Sequence, residues 1–173
     1  MIDFYDVEPG YVRYLQTFDR KVPNIEYTSN NKFICGVVLE IHGKQYYAPI
    51  SHFKEAQRTN LQIFNGQQAI ATIRFCFMFP APLFVLKKKK FKAMNEVDRK
   101  YVDLLRVEYD YCLSIENRIR KKAEPVYRIG CNKKHKYNKN CCYFPALEQA
   151  LVMYIAEHKT IEEVAMAKDP KSK

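Results

Sequence analysis

The sequence has little glycine, no tryptophan and no long apolar run. Its 173 residues include five glycines, whereas 47% are hydrophobic and 14% aromatic, a composition that excludes disordered and fibrous proteins. The longest uncharged apolar run, Phe75 to Leu86, has 12 residues and two prolines, whereas a membrane-spanning helix needs about 20 residues. The first residues are acidic where a secretory signal is basic. We therefore expect a cytoplasmic protein with one domain, residues 1–167, and a polar tail, residues 168–173.

Motifs for nucleotide and metal chemistry are also absent. The sequence contains no G-x-x-x-x-G-K-[ST], no G-x-G-x-x-G and no H-E-x-x-H, and its acidic residues are scattered. A two-metal phosphodiesterase site is therefore hard to assemble. Among the six cysteines, Cys131, Cys141 and Cys142 cluster with His135, but adjacent cysteines chelate zinc poorly. We expect reduced thiols, no metal and no cofactor.

Positive charge is present in excess, and it is concentrated in one part of the chain. The net charge is +10, and residues 85–139 carry 17 basic and seven acidic side chains. This concentration favours an anionic polymer as partner, although a solvated surface is the simpler explanation. Tyrosines among the last cations suit unstacked RNA bases. The predicted RNA-binding residues are Lys87, Lys88, Lys89, Lys90, Arg118, Lys121, Lys122, Arg128, Lys133, Lys134, Lys136, Tyr137 and Phe144.

Phe144 has two interpretations at this point. It is a candidate for stacking on a base, as is Tyr137, but it is equally expected to be the core contact that seats the last helix.

Periodicity and turn residues predict a mixed α and β domain. Short strands come first and helices mostly follow, which favours an α+β fold with a compact, curled antiparallel sheet or barrel and helices on its outside. The predicted elements are a strand over 2–7, a helix from Pro9, hairpins over 33–41 with 44–50 and over 61–64 with 68–79, a helix from Asn95 to Lys122 ending at Glu124 and Pro125, and a helix from Pro145.

One turn has the residue types that metal-free RNA cleavage needs. Ser51, His52 and Lys54 follow an apolar strand and place a hydroxyl, an imidazole and an ammonium within four residues. Such cleavage requires a base near the 2′-OH, cations on the phosphorane and a proton for the leaving 5′-oxygen. A solvated turn at a strand end is the ordinary interpretation of this spacing.

Two blocks of the sequence together form a family pattern. They are Tyr11, Tyr14, Leu15, Phe18, Asp19, Lys21 and Val22, followed by Gly36 to Ile41, Gly43, Tyr46, Ala48 to Ser51 and Lys54. With these residues the sequence resembles the ToxN/AbiQ family, endoribonuclease toxins of type III toxin–antitoxin systems. A weaker likeness continues near Phe77 to Pro80 and near Cys142 to Glu148.

The resemblance implies a fold and an activity. It implies a curled β-sheet core related to the MazF/Kid toxins, and cleavage of RNA at short sequences without metal, leaving a 2′,3′-cyclic phosphate and a 5′-hydroxyl. It also implies inhibition by a small pseudoknotted RNA, cut by the toxin from a repetitive precursor, in a closed protein–RNA assembly that acts against phage in bacteria.

The resemblance also implies site residues. Ser51 falls on the family's hydroxyl position, Lys54 on its following lysine, Lys32 on another basic position and Tyr11 on the helix tyrosine. The lysines would stabilise charge on the phosphorane or exchange its protons, and Ser51 would hold a phosphate oxygen or orient the 2′-OH. His52 stands where the family has a second hydroxyl, and it would replace that function or remain a surface residue.

Two other functions remain open from the sequence. A non-catalytic RNA- or DNA-binding module would explain the charge without any chemistry. A membrane-surface protein would need a basic amphipathic helix, and the apolar stripe of the 96–122 helix is better explained by docking on the sheet.

Overall fold

A computed structural model describes residues 2–24, 33–90 and 99–168, and the side chains of all of these except 33–34 and 159–168. Three sequence-based expectations fall outside these ranges. They are the site residue Lys32, the helix start at Asn95, and the polar tail beyond residue 168.

In the described residues, seven antiparallel strands form one sheet in the order β4-β5-β3-β2-β1-β7, and β6 pairs with the part of the β3 edge that β5 leaves free. The described strands β4 and β7 end the sheet without pairing with each other. The α+β fold and antiparallel sheet are therefore confirmed, and a closed barrel is wrong. The strands are β1 Phe4–Val7, β2 Phe33–Ile41, β3 Lys44–Ser51, β4 Asn60–Asn65, β5 Gln68–Arg74, β6 Phe79–Pro80 and β7 Leu86–Lys88.

Both predicted hairpins are present, and their turns fix the strand register. His42 and Gly43 have φ of 50° and 75°, the left-handed pair that closes a two-residue hairpin, and Gly66 has φ of 59°. From the first turn β2 pairs with β3 as far as Cys35 opposite Ile50, and a register shift then places Phe33 opposite Ser51. The predicted site residue Ser51 therefore ends a strand in the interior of the sheet.

The second strand of the second hairpin is shorter than predicted. The pattern predicted a strand over 68–79, but β5 ends at Arg74 and residues Phe75–Phe77 form a 3-10 turn. The turn buries the side chains of Phe75 and Cys76, whereas a continued strand would alternate them between the two faces of the sheet. The chain then returns as β6 beside β3, opposite Tyr46 and Tyr47.

The part of the chain that the structure describes also contains four α-helices, which are α1 Pro9–Gln16, α2 Arg99–Ser114, α3 Glu116–Cys131 and α4 Phe144–Lys168. The predicted helix over 95–122 is instead two helices that break at Ile115, where φ is −113° and ψ is 17°. The break lets α2 contact β4 while α3 contacts β2, the 3-10 turn and α4.

The predicted helix end at Glu124 and Pro125 is wrong, because α3 continues through Pro125 to Cys131. Proline inside a helix removes one backbone hydrogen bond, to the carbonyl four residues earlier. That residue is Lys121, which is exposed to solvent, so water can bind the freed carbonyl. Ala123 and Val126 are buried on either side of the proline, and their packing keeps the segment helical.

The carboxylate of Glu148, in the first turns of α4, joins three elements of the fold. It accepts hydrogen bonds from the hydroxyl of Tyr46 in β3 at 2.6 Å and of Tyr127 in α3 at 2.9 Å. Lys44 of β3 pairs with it at 3.0 Å. Burial by itself would raise the pKa of Glu148, but these donors outweigh burial and lower it below its ordinary value.

We expect Glu148→Gln to lower the free energy of unfolding at neutral pH by about 1–3 kcal/mol, because a charge-assisted acceptor is lost from a buried cluster. The folded pKa lies below the ordinary value of 4.5. The contribution is therefore full above pH 4.5 and disappears as the pH falls through the folded pKa.

Urea unfolding from pH 3 to pH 8 measures this difference, and Glu40→Gln on the exposed side of β2 is the matched control. A Glu148→Gln deficit that stays constant from neutral to acidic pH would contradict the assignment.

Candidate functional site

Ser51 lies at the centre of the sheet, and its side chain is 4% exposed. Its β5 neighbour is Thr72, whose side chain is fully buried and whose hydroxyl has no hydrogen-bond partner among the described residues. Paired residues on antiparallel strands point to the same face of a sheet. Two hydroxyls therefore lie side by side where β3 ends, and the sequence analysis had found only one of them.

The loop that follows Ser51 is held in place by side chains of β4. The amide of Asn60, 3% exposed, accepts from the backbone N–H of Gln57 at 2.9 Å and donates to the carbonyl of Glu55 at 3.0 Å. Gln62 donates to the carbonyl of Lys54 at 2.7 Å. The backbone N–H of Phe53 donates to the Ser51 hydroxyl at 3.4 Å. The loop therefore presents its exposed side chains from a fixed backbone.

His52 and Lys54 are both exposed on this loop. Desolvation by its surroundings and, second, the charge of Lys54 lower the pKa of His52 below its ordinary value of 6.5. The imidazole is therefore neutral at neutral pH and able to accept a proton. Lys54 therefore lies near enough to His52 to act on its charge, and the shared part of Ser51, His52 and Lys54 in the chemistry stays a prediction.

Arg74 ends β5, opposite Asn60 of β4. Its guanidinium lies between two aromatic rings, 4.5 Å from the centre of Phe53 and 4.9 Å from that of Phe77. Such cation–π contacts fix the plane of the group. The Nε atom is buried and has no hydrogen-bond partner among the described residues, and leaving such a donor unpaired costs about 1–3 kcal/mol.

A cavity of about 660 Å³ lies beside this loop. Among the described residues, four cationic side chains from four separate segments line it, and no acidic one does. Tyr137 and Phe77 contribute aromatic surface. Since clustered cations repel each other where no acid separates them, the cavity is built for an anion. The four cations are Lys21, Arg58, Arg74 and Lys139.

The wall of the cavity that carries Tyr137 and Lys139 is fastened to the domain by Asp19 and Lys21. Asp19 accepts from the backbone N–H of Tyr143 at 2.7 Å, and the ammonium of Lys21 donates to the carbonyl of Cys141 at 2.8 Å. The backbone of Cys142 donates to the carbonyl of Cys76 at 2.8 Å. The spacing Asp19-x-Lys21, noted in the sequence, therefore positions the basic segment 132–143.

The predicted RNA-binding residues separate into accessible and engaged groups. Lys88 and Lys89 pair with Asp3 and Asp6 at 2.7 and 2.8 Å, and Arg128 pairs with Glu124 at 3.0 Å. The ammonium of Lys133 lies 4.3 Å from the Tyr143 ring, and that of Lys136 lies 5.0 Å from the Tyr137 ring. The remaining exposed cations are Lys87, Lys90, Arg118, Lys121 and Lys134, and Lys122 is half-buried.

Phe144 is fully buried. Its ring stacks on that of Tyr127 at 5.6 Å and meets Tyr46 edge-on at 5.8 Å. A Cβ at Gly130 would lie 2.3 Å from the same ring, so only glycine permits this approach. Of the two expectations for Phe144, the structure therefore supports the core contact that seats α4, and a base cannot reach the ring.

Tyr11 is also fully buried, and its hydroxyl donates to the carbonyl of Pro80 at 2.7 Å. Burial raises the pKa of Tyr11 well above its ordinary value. The structure thus gives Tyr11 a packing contact between α1 and β6, and a part in the chemistry stays a prediction.

The cysteine cluster is not arranged as a metal site. Among the described residues, no group of three or more histidine, cysteine or acidic side chains is placed to hold a metal ion. Cys141 and Cys142 are buried, and burial raises the pKa of the Cys141 thiol to about 12. These thiols are therefore protonated and unreactive.

Among the described residues, no helix is both long enough and apolar enough to cross a bilayer.

Sequence reasoning missed Lys21, Arg58 and Arg74 as site residues. The Asn65–Gly66 turn makes β4 and β5 a hairpin, but a register shift between Ile63 and Phe64 comes before Arg74 pairs with Asn60, so the turn alone did not predict this pairing. That β5 neighbours β3 was not predictable, because this pairing joins strands from different hairpins. The position of Arg74 near Ser51 depends on it.

Comparison with curated proteins finds two relatives that span most of this chain. An endoribonuclease ToxN of Bacillus thuringiensis subsp. kurstaki is 25% identical over 161 residues, covering 87% of this chain and 83% of the relative. An endoribonuclease AbiQ of Lactococcus lactis subsp. lactis is 27% identical over 174 residues, covering 87% and 88%. An endoribonuclease ToxN of Pectobacterium atrosepticum is 36% identical over 89 residues, but only 44% of this chain is covered.

Solved structures share the fold. One, from work on bacterial type III toxin–antitoxin systems in which a non-coding RNA pseudoknot inhibits the toxin, matches with a TM-score of 0.79 at 22% identity, covering 88% of this chain and 97% of that one. AbiQ, a lactococcal anti-phage endoribonuclease, matches with a TM-score of 0.72 at 20% identity, covering 90% and 99%. The family model for the toxin ToxN of type III toxin–antitoxin systems matches residues 3–152. With the strand-end turn and the fold in agreement, the chain belongs to the ToxN family of type III toxin–antitoxin toxins.

Proposed function

We propose that this chain is an endoribonuclease toxin that cuts RNA at the turn formed by Ser51, His52 and Lys54. The observation that carries the proposal is the site itself. A buried serine ends a central strand, and an exposed neutral imidazole and an ammonium follow it on a pinned loop beside a cationic cavity. Family membership and relatives named as endoribonucleases support the same activity.

The proposed reaction is an internal transesterification of RNA. The 2′-oxygen forms a bond to phosphorus while the bond from phosphorus to the 5′-oxygen breaks, which leaves a 2′,3′-cyclic phosphate and a 5′-hydroxyl. His52 accepts the 2′-OH proton, and the ammonium of Lys54 donates one to the leaving 5′-oxygen. Ser51 orients the 2′-OH or holds a phosphate oxygen. Lys54, together with Lys32, stabilises the charge on the phosphorane.

The antitoxin and the setting are proposed on the family. The inhibitor would be a small pseudoknotted RNA, bound by the exposed cations of α3 and of the segment 132–143. A closed protein–RNA oligomer, a defence role against phage and a location in the bacterial cytoplasm belong to the same proposal, as does a relation of the sheet to the MazF/Kid toxins. A non-catalytic RNA-binding module is the second candidate, since the cationic surface alone would serve it.

Ser51→Ala and Lys54→Ala should each lower the cleavage rate of single-stranded RNA by about 100- to 10,000-fold, the range for removing one group that acts on the transition state. Ser114→Ala and Lys100→Ala on exposed positions of α2 are the matched controls. Mass analysis of the fragments should show cyclic phosphate ends, with or without a chelator.

Circular dichroism establishes that each variant is folded. Folded Ser51→Ala and Lys54→Ala proteins that cut at the normal rate would contradict this active site. Intact RNA with the wild-type chain would favour the binding module instead.

The cleavage rate should fall as the pH drops below 6.5, because His52 must be neutral to accept a proton and its pKa lies below that value. NMR titration of the imidazole measures the pKa directly. Lys54→Met should raise it toward 6.5, since a neighbouring positive charge is removed, whereas Lys100→Met should leave it unchanged. A His52 pKa above 6.5 in the wild-type chain would contradict the neutral base.

Binding of structured RNA should weaken steeply with salt. Reversal of Lys133, Lys134 and Lys136 to glutamate should lower affinity for all sequences alike and reduce the slope of log K against log salt by about 2, at about 0.7 per phosphate contact on single strands. The control reverses Arg99, Lys100 and Arg106 of α2, which are equally exposed. Equal losses in the two triple variants would show that only the total charge matters.

A further inference from the structure

The cavity beside the Ser51 loop has features that a general phosphate-binding surface lacks. It is a concave space of about 660 Å³, within the range of roughly 300–1,000 Å³ of small-ligand sites. Its four cations come from the segment that follows α1, the loop 52–59, the end of β5 and the segment 132–143. Their convergence on one space therefore depends on the tertiary fold, not on a local run of lysines.

Arg74 has the geometry of a preorganised anion ligand. The rings of Phe53 and Phe77 hold the guanidinium at 4.5 and 4.9 Å, and its buried Nε lacks a hydrogen-bond partner among the described residues. A guanidinium held in one plane is a fork whose terminal nitrogens can match two oxygens of a phosphate. Of the described residues that line the cavity, none is acidic, so none of them would compete with an anion for this group.

The register places Arg74 close to the cutting turn. Ser51 lies opposite Thr72, and Arg74 is two residues further along β5, so the side chains of all three point to the same face. Diagonal neighbours of this kind have Cα atoms about 7–8 Å apart. Phe53, which contacts the guanidinium, follows His52 directly. An anion on Arg74 is therefore a near neighbour of the phosphate that the turn would cleave.

Tyr137 adds a surface for a base. Its half-buried ring lines the same cavity, with the Arg58 guanidinium 5.7 Å from the ring centre. Aromatic rings and guanidinium planes are the surfaces on which unstacked RNA bases lie. The hydrogen bonds of Asp19 and Lys21 to the backbone of 141–143 fix the segment that carries Tyr137.

From these observations we propose that the cavity binds one unstacked nucleotide of the RNA, next to the cleaved phosphate. Arg74 binds the phosphate of that nucleotide, and Tyr137 stacks on its base. The proposal rests on the proposed RNA-cutting function for its substrate. It gives a binding role to Arg74, which lies outside the basic part of the chain, residues 85–139. Arg74 is a binding residue here, not an acid or a base of the reaction.

The test measures binding, separately from cleavage. The probe is a 2′-O-methyl RNA of twelve nucleotides, selected from a random pool by its binding to the wild-type chain and unable to undergo attack by a 2′-OH. Arg74→Gln should weaken its binding about 10- to 100-fold, the range for losing a charge-assisted pair of hydrogen bonds. Arg74→Lys keeps the charge but not the fork and should still lose at least about 5-fold. Arg106→Gln, which removes one exposed charge from α2, is the control and should lose less than about 2-fold.

Single methylphosphonates at successive positions of the probe then locate the contact. At one position the methylphosphonate should abolish the difference between wild type and Arg74→Gln, because the same phosphate charge is missing in both complexes. An abasic site in the nucleotide at that position should likewise abolish the penalty of Tyr137→Leu. A variant that was merely misfolded would show no such dependence on position.

The outcomes separate the two proposals. Binding by Arg74→Gln or Arg74→Lys within about 2-fold of wild type, or a penalty spread evenly over all phosphates, would overturn the nucleotide site. Position-specific binding by a chain that cuts no natural RNA would support the site and overturn the proposed endoribonuclease. Selection of no RNA by the wild-type chain would overturn both.

Discussion

The carboxylate of Glu148 is the contact on which the site depends. It ties β3 to the first turns of α4 and to α3 through Tyr46, Lys44 and Tyr127. Strand β3 runs from this contact to Ser51, so its position in the sheet sets the position of the turn at Ser51. The Glu148 side chain is 18% exposed, and the ring of Tyr127, which donates to it, stacks on the buried ring of Phe144. Loss of these donors would leave a partly desolvated charge without partners, which destabilises the fold.

A second set of contacts connects chemistry with binding. Asp19 and Lys21 form hydrogen bonds with the backbone of 141–143. The carbonyl of Cys76, in the 3-10 turn Phe75–Phe77, accepts a hydrogen bond from the backbone N–H of Cys142 in the same segment. The basic segment is thereby placed against the end of β5, where Arg74 lies. The neutral first half of the chain and its basic third, separate in sequence, thus meet at one cavity.

Local patterns predicted most of the sheet but less of the helices. The hairpins were predictable because His42–Gly43 and Asn65–Gly66 determine their own turns. The helix through Pro125 was not, since packing of Val126 overcame the local effect of proline. The Ser51 turn was found from residue types and a family resemblance. The place of Arg74 near Ser51 depends on the pairing of β3 with β5, and the burial of Phe144 depends on the approach of α4 to Gly130. Both are contacts between segments distant in sequence, so local patterns could not predict them.

The central claim is that the turn cuts RNA by attack of the 2′-OH of the nucleotide on the 5′ side of the cut. The most direct measurement is the cleavage of an RNA that carries a single 2′-deoxy substitution at that nucleotide. The account predicts that this one missing hydroxyl abolishes cleavage at the site, while binding and cleavage at any second site are unchanged. Normal cleavage of the substituted RNA, with a 5′-phosphate on the fragment, would contradict it.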